Sequence, residues 1–235
     1  GVSILKDKIE SYKNALKCDP ISAFGGIVAC NFRINKKIAL ELNKIFLEVI
    51  IGNGFEKEAL KILKLKKNLR IIDASNFLSN KILKFNSINN SMLVQSEDNK
   101  LFSKKDFKIV SKKKPTKSQF ENLIFAFNIC RFVKSNAIVL VSNKSTVGIG
   151  SGQPSRLDSC QIAIDKMDKF NNTQDEIVAA SDAFFPFQDG IEKLIQSGVS
   201  AVIQPSGSIR DKDIISFANA TGTVLVFSKT RHFNH

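Results

Sequence analysis

The sequence predicts an α/β fold in which mixed sheets are flanked by helices. Short apolar runs of strand length recur along the chain, separated by segments with apolar residues at helical spacing. Some of these runs, such as 137–141, are almost continuously apolar, which is typical of strands covered on both faces. The 235 residues, 43% of them hydrophobic, are enough for one large domain or two small ones.

The first third of the chain alternates between helix and strand patterns. Asn35 stands where it can cap a helix, because its side chain can accept a hydrogen bond from the first turn. In order, the predicted elements are a helix with Leu5, Ile9, Tyr12 and Leu16 on one face, a strand at 26–30, a helix with Ile38, Leu42 and Ile45, a strand at 49–51, a helix at 56–66 and a strand at 70–73.

The pattern weakens between residues 74 and 105, where Ser and Asn are frequent. The run at 92–95 is the clear strand candidate of this stretch. Such a loss of pattern favours a boundary between subdomains. The sequence therefore predicts two parts, 1–105 and 106–235.

The second part has stronger signals. Thr116 followed by Gln119 fits a capping box at the start of a long helix. Apolar runs at 137–141, 177–180, 201–204 and 224–227 predict four strands with helices between them.

The chain is strongly basic, with 35 Lys and Arg against 22 Asp and Glu and a net charge of +13. This charge fits either a nucleic-acid-binding module or a lysine-rich surface. The lysines are scattered and lack interleaved aromatic residues, so we favour the second interpretation and expect no nucleic-acid partner. A basic surface also suits small polyanionic ligands.

The sequence indicates no membrane span, because it contains no run of about 18 apolar residues. The four cysteines lack C-x-x-C spacing, so we expect neither a zinc knuckle nor a disulfide scaffold. These features predict a cytoplasmic protein.

Four segments break the core pattern in ways that suggest ligand binding, which open α/β sheets place at strand ends. Segment 19–26 has two glycines beside a Phe, which fits either close approach to a flat ligand or a simple tight turn. Segment 134–137 brings Asn136 to the start of a buried strand, where it can contribute to a site or merely end a helix.

The other two segments are rich in glycine and phenylalanine. Segment 148–156 is interpreted as a Gly-rich loop that leads into a helix beginning near Arg156, and such a helix start suits an anion. It lacks the third glycine of a dinucleotide-binding loop. Segment 181–190 places three phenylalanines around a proline between two aspartates, which suits a flat heterocycle such as a pterin, or a loop that fills the core.

The two histidines of the sequence lie in its last four residues. An H-x-x-H pair invites a metal site, but no third ligand is evident. An Arg-His cluster after a strand can instead bind phosphate and carry a proton, and a frayed tail is the remaining alternative.

Taken together, the segments 19–29, 132–138, 148–156, 181–190, 203–211 and 231–235 resemble the formyltransferase region of the bifunctional purine-biosynthesis family. That family couples 5-aminoimidazole-4-carboxamide ribonucleotide (AICAR) formyltransferase with IMP cyclohydrolase. The resemblance implies two cytidine-deaminase-like subdomains at 1–105 and 106–235. It also implies formyl transfer from 10-formyltetrahydrofolate to the 5-amine of AICAR, without a metal, in a homodimer.

The resemblance further implies roles for individual residues. Asn136 and His235 match the catalytic positions. The positions that contact AICAR are Gly25, Glu48, Asn136, Phe184 and Arg231. The positions that contact folate are Arg156, Asp189, Ser208 and Ile209, with Asp189 accepting from the pterin ring.

The chain also departs from the family pattern. The Lys-His pair of the family corresponds to positions upstream of Gly1, and the cyclohydrolase region has no counterpart in these residues. We therefore expect little formyl transfer from residues 1–235 alone. A truncated relative that binds nucleotide or folate without catalysis, and a basic nucleic-acid-binding module, remain the alternative hypotheses.

Overall fold

The computed structural model describes residues 1–77, 83–171 and 176–234, which form two compact units. Unit 1 comprises Gly1–Pro20 together with the chain from Leu101 onward, and unit 2 comprises Ile21–Lys100. Both units combine helices with sheets, which confirms the predicted α/β class. The division into family subdomains at 1–105 and 106–235 stays a prediction.

The elements follow one another as helices α1–α7 and strands β1–β11. In chain order they are α1 (Lys8–Lys17), β1 (Gly26–Cys30), α2 (Lys36–Leu42), β2 (Leu47–Gly52), α3 (Lys57–Leu63), β3 (Arg70–Asp73), β4 (Leu83–Ile88), β5 (Ser91–Ser96), β6 (Phe107–Ile109), α4 (Lys117–Cys130), β7 (Ile138–Ser142), β8 (Ser145–Gly150), α5 (Arg156–Phe170), β9 (Ile177–Ser181), α6 (Gln188–Gln196), β10 (Val199–Pro205), α7 (Asp211–Ala220) and β11 (Val224–Ser228).

Unit 1 is built on a six-stranded mixed sheet in the order β6-β11-β10-β9-β7-β8. Strands β9, β10 and β11 run parallel, while β6, β7 and β8 are antiparallel to their neighbours. Helix α4 covers one face, and α5, α6 and α7 pack on the other. Successive residues of a strand point to opposite faces, so Leu140 lies in one core and Val139 and Val141 lie in the other.

Helix α4 begins at the predicted capping box. The Gln119 N–H donates to Thr116 Oγ1 at 3.0 Å, and the Thr116 N–H donates to Gln119 Oε1 at 2.9 Å. Two N–H groups that would otherwise lack partners at a helix start are thereby satisfied. This local prediction is confirmed.

The interpretation of 148–156 as a Gly-rich loop is wrong in its first part, because Gly148 and Gly150 lie within β8. A Cβ atom at Gly148 would stand 2.1 Å from the backbone oxygen of Ala163, and one at Gly150 would stand 1.9 Å from that of Ser159. Both neighbours belong to α5, which packs against β8. The glycines therefore allow close contact between a helix and a strand, and they are not a flexible ligand loop.

Unit 2 contains a three-stranded parallel sheet in the order β1-β2-β3. Helices α2 and α3 form its two crossovers. Both crossovers step in the same direction along the sheet, and right-handed connections then place both helices on one face. The buried side chains of the helices and of β2, including Ile38, Leu42, Leu63 and Ile50, form the core on that side. On the other face Ile27 and Ile72 are exposed.

A two-stranded hairpin of β4 and β5 completes unit 2. Strand β5 contains the run predicted at 92–95, whereas β4 was not predicted because its polar residues obscure the alternation. Every residue of both strands is exposed. Leu83, Phe85, Met92 and Val94 fall on one side of the hairpin because they occupy alternate and paired positions.

Candidate active site

The candidate site of unit 1 lies where β9, β10 and β11 end. Strand β7 runs antiparallel to β9, so its first residue, Ile138, pairs with Ser181 at the last residue of β9. The segment that precedes β7 therefore meets the segment that follows β9. Carboxyl ends of parallel strands are where open α/β sheets place ligand sites.

A buried ion pair holds these segments together. Arg156, the first residue of α5, donates through Nη1 to Asp182 Oδ1 and, at 2.9 Å, to Ser181 Oγ. The Asp182 side chain is 0% exposed and that of Arg156 is 9% exposed. A buried carboxylate requires such a charged partner, because burial without one is strongly unfavourable.

Arg156 also holds Asn136, which was predicted to be catalytic. Its Nη2 atom donates to Asn136 Oδ1 at 2.8 Å. Asn136 Nδ2 donates to the carbonyl oxygens of Gln153 and Pro154, each at 2.9 Å. A guanidinium can only donate and a carbonyl can only accept, so these partners fix which end of the amide faces each side. The peptide bond between Ser135 and Asn136 is cis.

The carboxyl-terminal segment reaches the same carboxylate. Ser135 Oγ donates to Asp182 Oδ2 at 2.6 Å and accepts from the Asn234 N–H at 3.3 Å. The Ser135 N–H donates to the Asn234 carbonyl at 3.0 Å, and the His232 N–H donates to the Asp182 carbonyl at 2.9 Å. His232 is buried against the rings of Phe102 and Phe127. His235, the other predicted catalytic residue, lies outside the described residues.

Two of the residues predicted to contact AICAR touch each other. The guanidinium carbon of Arg231 lies 4.8 Å from the ring centroid of Phe184. Arg231 is exposed and Phe184 is half-buried, so the pair presents a stacked cation to solvent. Gly207 lies beside this guanidinium, where a Cβ atom would stand at an ordinary contact distance of 3.8 Å from Arg231 Nη2, and its φ of +112° favours glycine.

The residues predicted to contact folate, apart from Arg156, lie where α6 and α7 begin. Asp189, in the first turn of α6, is exposed and accepts from the Gly190 N–H through Oδ1. Ser208 precedes α7 and accepts from the Arg210 N–H through Oγ at 3.1 Å, and Ile209 is fully exposed. Arg210 lies over the Phe187 ring at 4.8 Å, which links the two helix starts.

Gly25 and Glu48 are neighbours within unit 2. The Gly25 N–H donates to the Phe46 carbonyl at 2.9 Å, and its φ of +70° is a conformation that favours glycine. A Cβ atom at Gly25 would stand 4.0 Å from Glu48 Oε1. Glu48 is exposed and faces Arg70 at 3.8 Å. Both residues lie at the amino ends of their strands, unlike the unit 1 site.

The sequence analysis included Ser135, Ser181 and Asp182 in its candidate segments but assigned no role to any of them. Their signal was present, since Asp182 directly follows an apolar strand and Ser135 directly precedes Asn136. A polar residue at the carboxyl end of a buried strand is a general indicator of a site. Which residue it pairs with could not be inferred from its position alone.

Burial raises the pKa of the cysteine thiols. Within 1–77, 83–171 and 176–234, no group of three or more His, Cys, Asp or Glu side chains is arranged to hold a metal ion. All four cysteines are free. Burial raises the pKa of Cys160 to about 12 and that of Cys30 to about 11, so both stay protonated at neutral pH. Among the described helices, none combines the length and apolar character needed to cross a membrane.

The family model and the curated relatives that match this chain all belong to one family. A family model described as the AICARFT/IMPCHase bienzyme matches residues 1–166. The bifunctional purine biosynthesis protein PurH of Leptospira biflexa is 43% identical over 236 aligned residues, covering 100% of this chain and 46% of that protein. The proteins of the same name from Fusobacterium nucleatum and Buchnera aphidicola are 45% and 44% identical, covering 98% and 100% of this chain and 45% of each relative.

The chain spans about half the length of the curated relatives it matches. The family model nevertheless covers well over half of the chain, and the alignments run through all six segments that carry the resemblance. The chain therefore belongs to the AICARFT/IMPCHase bienzyme family.

Proposed function

We propose that this chain contributes the formyltransferase activity of its family. The reaction moves the formyl group of 10-formyltetrahydrofolate to the 5-amine of AICAR on the route to IMP. The observation that carries the proposal is the combination of the family match with the meeting of Asn136, Arg156 and Asp182 at one sheet edge. The expected cytidine-deaminase-like subdomains and the cytoplasmic location are part of the same proposal.

Formyl transfer to the 5-amine of AICAR depends more on the positioning of the reacting groups than on a strong acid or base. The 5-amine is a poor nucleophile because its lone pair is delocalised into the ring and the carboxamide. The enzyme must orient the amine, remove its proton and stabilise the oxyanion that forms on the formyl oxygen when the amine attacks the formyl carbon. Asn136 and His235 are the proposed catalytic groups. The Asn136 amide is already held by three hydrogen bonds, so it loses little freedom when substrate binds.

The residues proposed to contact AICAR are Phe184 and Arg231 in unit 1, and Gly25 and Glu48 in unit 2. Arg231 is exposed, carries a full positive charge and stacks on Phe184, so it suits the phosphate of the nucleotide. Gly25 suits close approach of a ligand to the backbone because it carries no side chain.

The folate site is proposed where α6 and α7 begin. Asp189 Oδ1 accepts from Gly190, so Oδ2 can accept from pterin ring N–H groups. Phe187, Ile209 and Ser208 would supply apolar and polar surface beside it. Arg156 uses three of its five N–H groups within the protein, which restricts its proposed folate contact to the remaining ones.

A homodimer is proposed because unit 2 exposes apolar surface that isolated domains normally cover. Parallel sheets almost always have both faces covered, yet Ile27 and Ile72 are exposed on β1 and β3. A lone two-stranded hairpin is marginally stable in water, yet Phe85 and Met92 are exposed on one side of β4 and β5. A second copy of the chain is the proposed cover.

The direct test is formation of formylated AICAR from 10-formyltetrahydrofolate. The assay compares residues 1–235 with a polypeptide that carries the upstream family segment, for which we expect the higher activity. The Asp189→Asn variant should weaken folate binding by about 1.5–3 kcal/mol, because one charged hydrogen bond is lost, and leave AICAR binding nearly intact. Isothermal titration of each ligand measures both effects.

The outcomes separate the hypotheses. Equal weakening of both ligands in Asp189→Asn would contradict the assignment of Asp189 to folate. Ligand binding without formyl transfer in either polypeptide would favour a relative that has lost catalysis. Salt-dependent binding to RNA that far exceeds AICAR binding would favour the nucleic-acid-binding alternative.

A further inference from the structure

The Asp182 carboxylate joins two segments that are distant in sequence and both lead to proposed catalytic residues. It is fully buried and accepts through Oδ1 from Arg156 and through Oδ2 from Ser135. Its backbone is also anchored, since its N–H donates to the Ala137 carbonyl and its carbonyl accepts from the His232 N–H. Asp182 is therefore held from four sides at the carboxyl end of β9.

The first branch of this network runs through Arg156 to Asn136. Arg156 is placed by α5 and held by the carboxylate, and its Nη2 then donates to Asn136 Oδ1. Asn136 Nδ2 is consequently turned toward the carbonyl oxygens of Gln153 and Pro154. If the guanidinium were released, the amide oxygen would lose its donor, and only the two carbonyl acceptors of Nδ2 would still hold the orientation.

The second branch runs through Ser135 to Asn234. The Ser135 hydroxyl has one proton, which it donates to Asp182, so its oxygen is directed to accept from the Asn234 N–H. The Ser135 N–H donates to the Asn234 carbonyl, which closes a reciprocal pair between the two residues. The chain position next to Asn234 is His235.

We propose that Asp182 is a positioning residue that sets, from one buried carboxylate, both the amide orientation of Asn136 and the placement of the segment ending at Asn234. It does not contact substrate, because its side chain has no exposed surface. Its catalytic relevance rests on the proposed formyltransferase function, whereas its control of Asn136 and Asn234 does not. Arg156, in the same scheme, acts first on Asn136 and only secondarily on folate.

A buried ion pair does not by itself argue for this role. Such pairs often contribute little net stability, and apolar residues can replace them without loss of the fold. What favours positioning is the connectivity: both carboxylate oxygens hold side chains that in turn hold a proposed catalytic residue or its neighbour.

The kinetic test uses Asp182→Asn and Arg156→Gln in the natural gene product that contains this chain. A displacement of about 1 Å at a reacting group can cost about 100-fold in rate. We expect both variants to lower kcat by about 10- to 100-fold. Asp182→Asn should change the KM for 10-formyltetrahydrofolate by less than about threefold, whereas Arg156→Gln should raise it more, because Arg156 is also a proposed folate contact. The matched control is Glu121→Gln, which removes a carboxylate from an exposed ion pair with Lys144 at the opposite end of β7.

A second measurement does not depend on activity. Hydrogen–deuterium exchange of the backbone amides of Ser135, Asn136 and Asn234 should be slow in the wild type, because each donates a hydrogen bond. Asp182→Asn should accelerate exchange at all three by at least about tenfold. Ser135→Ala, which breaks only the second branch, should accelerate exchange at Asn234 and leave Asn136 protected.

Each outcome decides between the possibilities. Unchanged kcat in folded Asp182→Asn protein, with a lower melting temperature alone, would show that the pair is merely structural and would overturn the proposal. A rise in folate KM confined to Arg156→Gln would show that Arg156 acts directly on folate. If the wild type transfers no formyl group but the exchange pattern is as expected, the proposed function fails and the positioning role stands. If Asp182→Asn does not fold, Ser135→Ala still tests the second branch.

Discussion

The two units of the chain use parallel strands in different ways. In unit 1 helices cover both faces of the sheet, and every residue of β7, β9 and β11 is buried. In unit 2 both helices lie on one face, and the other face and the hairpin remain exposed. The steps from β9 to β11 in unit 1 also run in one direction and place α6 and α7 on one face, so the difference lies in α4, which joins β6 to β7 and covers the other face.

The comparison explains which kind of functional site each unit can support. The doubly covered sheet of unit 1 supports a rigid polar network at its strand ends, with a fully buried carboxylate. Unit 2 carries its predicted site residues beside an exposed apolar face, with Gly25 half-buried and Glu48 exposed. Unit 1 therefore covers both faces of its sheet with its own helices, whereas unit 2 leaves apolar side chains exposed on one face of its sheet.

The largest expected contrast is between core substitutions in the two sheets. Leu140→Ala should lower the free energy of unfolding by about 2–5 kcal/mol, because it opens a cavity in a fully buried strand. In the dissociated single chain, Ile27→Ala should lower it by less than about 0.5 kcal/mol, because the side chain is 66% exposed there. Urea unfolding of both variants measures the difference.

The result for Ile27→Ala also tests whether a second copy covers the exposed face of the β1-β2-β3 sheet. A loss that approaches the Leu140 value and increases with protein concentration would mean that a second copy covers this face, since association stabilises only the folded state. Equal losses at every concentration would contradict the inferred difference between the units.

The next contrast lies within the hairpin of unit 2. Phe85→Glu should weaken self-association by about 1.5–3 kcal/mol, because it places a charge on the apolar side shared with Met92 and Val94. Asn86→Glu makes the same change of charge on the opposite side and serves as the matched control. Sedimentation equilibrium measures the dissociation constants, and equal effects from both variants would argue against the apolar side as the interface.

The smallest expected effect compares two exposed carboxylates. In unit 1 a hydrogen bond from Lys144 and its charge lower the pKa of Glu121, and in unit 2 hydrogen bonds from Ser75 lower the pKa of Asp73. A lowered pKa contributes stability above the unfolded-state value of about 4, and this contribution is lost as the pH falls through the folded-state value.

The difference in stability between the wild type and Glu121→Gln should therefore be present at pH 7 and absent near pH 2. Salt should reduce the Glu121 contribution, which includes an exposed ion pair, more than that of Asp73, which rests mainly on hydrogen bonds. Urea titrations at two pH values and two salt concentrations test this. Persistence of the Glu121 effect near pH 2 would contradict the assigned cause.

The sequence by itself determined the local elements whose signals lie within a few residues. Strands β1 and β3 begin and end where the apolar runs predicted, and Asn35 and Thr116 cap the helices that follow them. Helix caps and buried strands depend on neighbours along the chain and on burial, both of which the pattern of residues encodes directly. The motifs also sufficed to place the chain in its family.

Only the tertiary structure decided how distant residues pair. Arg156 meets Asp182 across 26 positions, and Ser135 meets the same carboxylate across 47. The tertiary structure also placed Gly148 and Gly150 within a strand, because α5 packs too closely for a Cβ atom. Such contacts depend on which strands are neighbours in the sheet. That strand order cannot be inferred from the few residues around each contact.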